Sequence, residues 1–248
     1  MTSSTETVSK RADLAIEVQG LTKSFGIYQA LRGVDLKVSR GEVMVIFGPN
    51  GAGKTTLIKI LATISRPSSG TVLIDGLDLK DKAEEIRRQI GVVSHQTFLY
   101  HNLTAYENLE FYGRMFDVPR RRERIHEVVE LVGMTARLHD RVGTFSRGMQ
   151  QRLSIARCLL HKPSIILLDE PETGLDQQAT AMLWNILQSE GAERRTVILT
   201  THNLERGLAV CDRLRILAEG RFAYEGLKEG LDLAGLKQAY LKCTRVEV

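Results

Sequence analysis

The chain has 248 residues, 43% of them hydrophobic and 26% charged, and a formal net charge of +4 at pH 7. That balance excludes a fully disordered chain and suits one large domain, or a domain with a subdomain. The slight basic excess fits phosphate ligands or an anionic surface and is too small to argue for nucleic acid, and no apolar run approaches the roughly 20 residues that span a bilayer.

In chain order, residues 1–13 have no apolar core, so they read as a flexible tail and not as a signal peptide. Residues 15–46 read as strands and turns, with Ile16 and Val18 alternating with Glu17 and Gln19, and Val34, Leu36 and Val38 with Asp35 and Lys37. The apolar run 43-VMVIF-47 feeds a glycine loop. A helical pattern covers about Lys54 to Ala62, and 71-TVLID-75 ends at an Asp-Gly turn that predicts more antiparallel sheet. From about 97 to 160 the pattern is helical. Thr104 and Glu107 make a capping box ahead of 108-NLEFYGRMF-116. Pro119 precedes a second helix, roughly 120–132, that aligns Ile125, Val128, Val129 and Val132. A third helix follows 143-GTFSRGMQQR-152. The runs 164-SIILLDE-170 and 196-TVILTTH-202 read as buried parallel strands, and a short helical tail covers about 229–242. The three cysteines, Cys158, Cys211 and Cys243, are odd in number and widely spaced, which reads as reduced thiols in a cytosolic protein.

The stretch 48-GPNGAGKTT-56 fits G-x-x-x-x-G-K-[ST] between a strand pattern and a helix pattern. Gly48, Pro49, Asn50, Gly51, Ala52 and Gly53 let backbone N–H groups turn inward around a polyphosphate, and the helix start at Lys54, Thr55 and Thr56 adds partial positive charge. Lys54 places a compact cation on the β- and γ-phosphates, and the Thr55 hydroxyl completes a Mg²⁺ shell. Downstream, 165-IILL-168 delivers Asp169 and Glu170 at the C-terminal end of a strand, where ligand sites of open parallel sheets lie. Asp169 is expected to hold Mg²⁺, directly or through water, and Glu170 to orient and deprotonate an attacking water. His202 ends the next apolar run at the same sheet edge. Gln96, in 92-VVSHQTF-98, carries no meaning by itself. The pattern is that of an α/β fold: a P-loop NTPase core with a mixed sheet, an N-terminal antiparallel β subdomain and an inserted α-helical subdomain.

These residues together resemble the ATP-binding cassette family of transporter ATPases, over about residues 14–226. The segment 145-FSRGMQQR-152 is similar to that family's signature, usually written LSGGQQQR, with Ser146, Gly148, Gln150, Gln151 and Arg152 matching and Phe145, Arg147 and Met149 departing. The resemblance implies that two cassettes, identical or homologous, pair head to tail around ATP, with Ser146 and the Gly148 N–H meeting the γ-phosphate held by the partner's P-loop. By the same resemblance Phe25 stacks on adenine, with Tyr28 as the fallback. Gln96 touches Mg²⁺ or the lytic water, Asp176 lets the two sites sense each other, and His202 is the switch histidine. Glu172 stands where the family usually has Thr.

The resemblance further implies integral membrane permease subunits as partners, no nucleic acid, and a peripheral place on the cytoplasmic face of the membrane. Phe98, Leu99 and Tyr100 are candidates for a groove that takes a short permease helix, or for internal packing. The run 120-RRRER-124 reads as a solvated helix start or a contact to anionic lipid. The blocks 146–179 and 61-LATISRPSSG-70 resemble cassettes of haem exporters in cytochrome c maturation, and drug, lipid or polysaccharide export stays open. Two rival readings are a non-transport cassette ATPase acting on ribosomes or DNA and a P-loop kinase. The first usually has two cassettes or a long coiled coil, and the second has no use for FSRGMQQR.

Overall fold

The computed structural model describes residues 13–172, 177–188 and 194–244, so the expected tail falls almost wholly outside the described residues. β1 (Leu14–Phe25) and β2 (Tyr28–Ser39) form a long hairpin in which Phe25 faces Tyr28 across a two-residue turn. β3 (Val43–Phe47) runs into the glycine loop and α1 (Lys54–Leu61). β4 (Ser69–Ile74) pairs antiparallel with β1 and then with β5 (Leu77–Asp78). Between those last two, Asp75 and Gly76 have φ of 49° and 79°, the doubly left-handed geometry that an Asp-Gly hairpin supplies. The four-stranded sheet β2-β1-β4-β5 buries Ile16, Val18, Val34, Leu36 and Val38 in one core with Met44, Leu57 and Ile58.

α2 (Ala83–Gln89) leads to β6 (Ile90–Val93), and the helical part follows as α3 (Ala105–Met115), α4 (Arg121–Leu131) and α5 (Arg147–Leu159). The capping box closes as the sequence predicts: Glu107 N–H donates to Thr104 Oγ1 (3.1 Å) and Thr104 N–H to Glu107 Oε2 (2.8 Å). α4 buries Ile125, Val128 and Val129. Two arginines of the 120–124 run are spent inside the protein. Arg121 pairs with Glu110 (3.1 Å), and Arg124 donates to the last carbonyls of α5, Leu159 O (2.7 Å) and Leu160 O (3.1 Å). A C-terminal helix end offers unpaired carbonyls and partial negative charge, which a guanidinium satisfies.

The chain returns to the sheet through β7 (Ile165–Asp169), α6 (Gln177–Gln188), β8 (Thr196–Thr201), α7 (Leu204–Val210), β9 (Arg213–Ala218), β10 (Arg221–Leu227) and α8 (Leu233–Thr244). The second sheet has the order β10-β9-β3-β8-β7-β6, parallel except for β10. Every residue of β7 and β8 is buried, as a strand covered on both faces requires. α8 starts later than the pattern suggests because Asp232 Oδ1 accepts the Gly235 N–H at 2.7 Å. It is no loose tail: Leu236 is fully buried in the core that holds Leu214 and Ile216 of β9. Cys158, Cys211 and Cys243 are free thiols. Among the described residues no helix is long and apolar enough to cross a membrane.

His161, just past α5, is held neutral by its surroundings. Its ring stacks on Phe116 at 4.2 Å and Nε2 lies 3.0 Å from Ile90 O, while Nδ1 is buried without a partner. Burial pulls the imidazole from 6.5 down to about 4. As pH falls the unfolded chain takes the proton first, so stability is full above 6.5 and is lost between 6.5 and about 4. Denaturant unfolding at about pH 7.5 and about pH 5 should show the wild type losing on the order of 2 kcal/mol more than His161→Gln across that interval.

Candidate active site

The glycine loop is squeezed into shape from two sides. Gly53 has φ 108°, and a Cβ there would lie 2.6 Å from Ala30 O of β2. A Cβ at Gly48 would run into Leu217 O of β9. The turn after β9 also touches the loop, through Gly220 N–H donating to Ala52 O at 3.1 Å. Only glycine fits such approaches, which hold the loop from Asn50 to Thr56 against the cavity at the start of α1.

Lys54 opens that helix with a side chain only 5% exposed. Its Nζ donates to Gly48 O (2.7 Å) and Pro49 O (3.1 Å), and stands 3.4 Å from Glu170 Oε1. A buried ammonium needs such partners. Asp169, at the end of β7, is 2% exposed, and its Oδ1 accepts from the hydroxyls of Thr55 (3.1 Å) and Thr200 (2.7 Å). Glu170 follows at φ 48°, a left-handed conformation unusual for a non-glycine residue. Its N–H donates to Thr200 O at 3.0 Å, and its Oε2 lies 3.6 Å from His202 Nδ1. The strained turn carries the carboxylate off the strand so that it reaches both Lys54 and His202.

These groups border a cavity of about 340 Å³, lined by the loop from Asn50 to Thr56 and by Phe25, Tyr28, His95, Asp169 and Glu170. Phe25 and Tyr28 are exposed at its outer wall, and the Tyr28 hydroxyl donates to Gly51 O at 3.1 Å. An N–H-lined loop with a buried cation suits a polyphosphate, and the flat aromatic wall suits a base. The Asp169 carboxylate and the Thr55 hydroxyl are hard oxygen donors. Among the described residues no three His, Cys, Asp or Glu cluster to hold a metal by themselves, so a cation here completes its shell from phosphate and water.

Not every expected residue comes together. Gln96 is exposed and does not line the cavity; its neighbour His95 does, with Nδ1 3.9 Å from Asp169 Oδ2. Ser146 and Gly148 lie at the start of α5, outside the cavity, where Ser146 Oγ accepts from Met149 N–H at 3.3 Å. Phe145 is buried and Met149 packs against the same core, so these two departures from the signature are packing residues. Arg147 is exposed. Asp176 lies outside the described residues. Sequence reasoning missed His95 and Thr200, and gave no separate role to the signature match Gln151. The last is buried, its Nε2 donating to Pro171 O (3.3 Å) and Ser94 O (3.4 Å), and so ties α5 to the loops that bear Glu170 and Gln96. Thr200 was readable as the polar residue opposite Asp169 on the next strand; Gln151 was legible as a signature match, but nothing local marks what it bonds.

The family model described as ABC transporter matches residues 31–173. The daunorubicin resistance ATP-binding protein DrrA3 of Streptomyces coeruleorubidus is 38% identical over 222 residues, covering 89% of this chain and 70% of its own. The Nod factor export ATP-binding protein I of Burkholderia lata is 35% identical over 218 residues, covering 87% of this chain and 72% of its own. Among solved structures, a dimeric ATP-binding cassette in a post-hydrolysis state, bound to ADP and Pi, has a TM-score of 0.78 at 29% identity, covering 87% of this chain and 100% of its own.

Two glycines of the loop separate conformational strain from collision. A Cβ at Gly51 (φ 78°) meets nothing within 4 Å, whereas one at Gly53 (φ 108°) strikes Ala30 O. Titration with a fluorescent ATP analogue should find Gly51→Ala weakened severalfold and Gly53→Ala weakened at least about tenfold, with the larger drop in Tm at Gly53.

Proposed function

The chain belongs to the ABC transporter family as an ATP-binding, ATP-hydrolysing subunit, and on that footing we propose that two copies close around ATP and drive export through a membrane permease. The observation that carries this is the convergence of Lys54, Thr55, Asp169, Glu170 and His202 at one sheet edge beside the Phe25–Tyr28 wall. The cassette spans 14–226, with its helical part at about 97–160 and the C-terminal helix beyond 227.

The loop N–H groups from Asn50 to Thr56 bind the phosphates, and Phe25 stacks on the base. Lys54 exchanges its contact with Glu170 for phosphate oxygens, which releases Glu170 to take a proton from the attacking water. His202, already 3.6 Å from Glu170, fixes that carboxylate's direction. Asp169 and Thr55 would hold Mg²⁺, which would supply charge neutralisation to the bound polyphosphate. Gln96 joins that site once its loop moves inward from its exposed position. Ser146 and Gly148 grip the nucleotide of a second copy, and Asp176 couples the two sites. This gives the closed pair contacts that the open pair lacks, the difference in affinity that lets a ligand do work.

The permease is met on the helical face. Phe98, Tyr100, Phe111 and Met115 are exposed there, and Tyr100 and Phe111 pack edge to face at 5.2 Å. Beneath them Arg157 lies 5.5 Å from the Phe98 ring and 5.1 Å from that of Tyr112, and donates to Val92 O at 2.7 Å. Leu99 turns inward. Such an aromatic platform on a rigid base suits a short amphipathic helix, and docking there places the subunit on the cytoplasmic face of the membrane. Relatives named for daunorubicin resistance and Nod factor export favour drug export, or else lipid or polysaccharide export, over haem. Haem export is the second reading. It rests on the blocks 146–179 and 61–70, and the names of these relatives lend it nothing.

Glu170→Gln keeps the shape of the site and removes the base. Light scattering with saturating Mg-ATP should show an ATP-trapped dimer, while turnover falls at least about 100-fold. A monomer that still hydrolyses at the wild-type rate would refute the role of Glu170.

A further inference from the structure

The Glu170–His202 contact is flanked by an ion pair that the mechanism above does not use. Arg206 Nη1 lies 3.1 Å from Glu172 Oε2. The Glu172 side chain is 16% exposed, and its second oxygen, Oε1, is buried with no hydrogen-bond partner among the described residues. The structure thus keeps a largely desolvated carboxylate at a position where the family resemblance leads one to expect Thr. A Thr hydroxyl sits on Cβ and is too short to make this reach. A lone, half-satisfied pair of this kind is poor value for stability, which directs attention to what it holds.

Glu172 is two residues beyond Glu170, and Arg206 is four beyond His202. At the sheet end, the two segments are joined by Glu170 N–H donating to Thr200 O (3.0 Å). At the far end, the described residues join them through Glu172 and Arg206. The catalytic carboxylate and the histidine therefore sit inside a closed ring of chain. Both sides of that ring are anchored. Asn203 Oδ1 accepts the Arg206 N–H at 3.0 Å, fixing the start of α7. The next residue, Gly207, lets α7 press onto Phe47, whose ring a Cβ there would meet at 2.5 Å, and Phe47 leads directly into the phosphate loop. On the other side, Pro171 O accepts from the buried Gln151 of α5.

We propose that Glu172 and Arg206 are a positioning pair for hydrolysis, holding α7, and with it His202, in register with the Glu170 turn. Neither residue of the pair lines the nucleotide cavity. The pair sets the geometry of the step in which Glu170 accepts a proton, and so bears on kcat more than on ATP affinity. The inference rests on the catalytic reading of Glu170 and His202 given above.

The test is steady-state ATP hydrolysis by the full chain, with Tm measured alongside, for Glu172→Gln, Glu172→Thr, Arg206→Met, Arg206→Lys and the double variant E172Q/R206M. Each of E172Q, E172T and R206M should lower kcat about tenfold with KM for ATP within about twofold. The double variant should be no slower than the worse single, and Arg206→Lys should recover part of the rate with Tm near wild type. Unchanged kcat, a change confined to KM, or losses that multiply in the double variant would overturn the proposal. A fall in Tm that tracks the lost turnover, Arg206→Lys included, would assign the pair to stability alone and overturn it too. Failure of the underlying reading is distinct, because Glu170→Gln would then hydrolyse ATP normally whatever the pair does.

Discussion

The flush parallel pairing of β3, β7 and β8 is the constraint on which the site depends. Phe47 pairs with Thr201 and Asp169 with Thr200, so Gly48, Glu170 and His202 all leave the sheet at one edge. A polar bond between side chains, Thr200 to Asp169, crosses from β8 to β7, but it lies at the strand ends. The register comes from Val45, Ile46, Ile166, Leu167, Ile198 and Leu199, all buried, with even- and odd-numbered neighbours serving different cores on the two faces of the sheet. A slip of one residue would send each side chain to the wrong face. The hydrophobic layers thus place a polar cluster that they do not themselves touch.

Within that frame the charges are arranged to be exchanged. Asp169 is satisfied by two hydroxyls, and Lys54 by two carbonyls of its own loop and one carboxylate. Carbonyl and hydroxyl partners keep the buried charges solvated in the absence of ligand, yet they are weaker partners than phosphate oxygens or a divalent cation. Among the described residues, the one charged partner of Lys54 is Glu170, the residue proposed to accept the proton. On that proposal, nucleotide binding and activation of the base are the same event seen from two sides of Lys54.

How much of this was legible depends on whether the signal was local. The phosphate loop could be read because its glycines answer to backbone geometry within nine residues. β7 and β8 could be read because two-sided burial writes an unbroken apolar run, and α3 because Thr104 and Glu107 cap it at fixed spacing. The sequence could not choose between His95 and Gln96, since the choice turns on how Ser94 Oγ bonds both ends of Gln96's peptide unit and on Phe98 at φ 55°. It also could not tell that Phe145 and Met149 face the core, or that Glu172 reaches Arg206, because both facts depend on elements distant in the chain. The late start of α8 is intermediate: Asp232 was visible, but Gly230 and Lys228 hid it within a generic helical pattern.

One element unites the parts that the local signals left separate. α5 begins with Ser146 and Arg147 exposed and Gly148 half-buried at its positive end, outside the cavity of its own chain. In its middle, Gln151 bonds both the Gln96 loop and the Glu170 turn, and further on Arg157 supports the Phe98–Tyr112 platform from below. At its end Arg124 of α4 caps the last carbonyls. The helix is 13 residues long and its buried side is closely packed. On the proposed function, a pull on its start would reach the loop bearing Gln96, the turn bearing Glu170 and the aromatic face together. On that reading no separate relay is needed between the nucleotide edge and the proposed docking face, because one helix forms part of both.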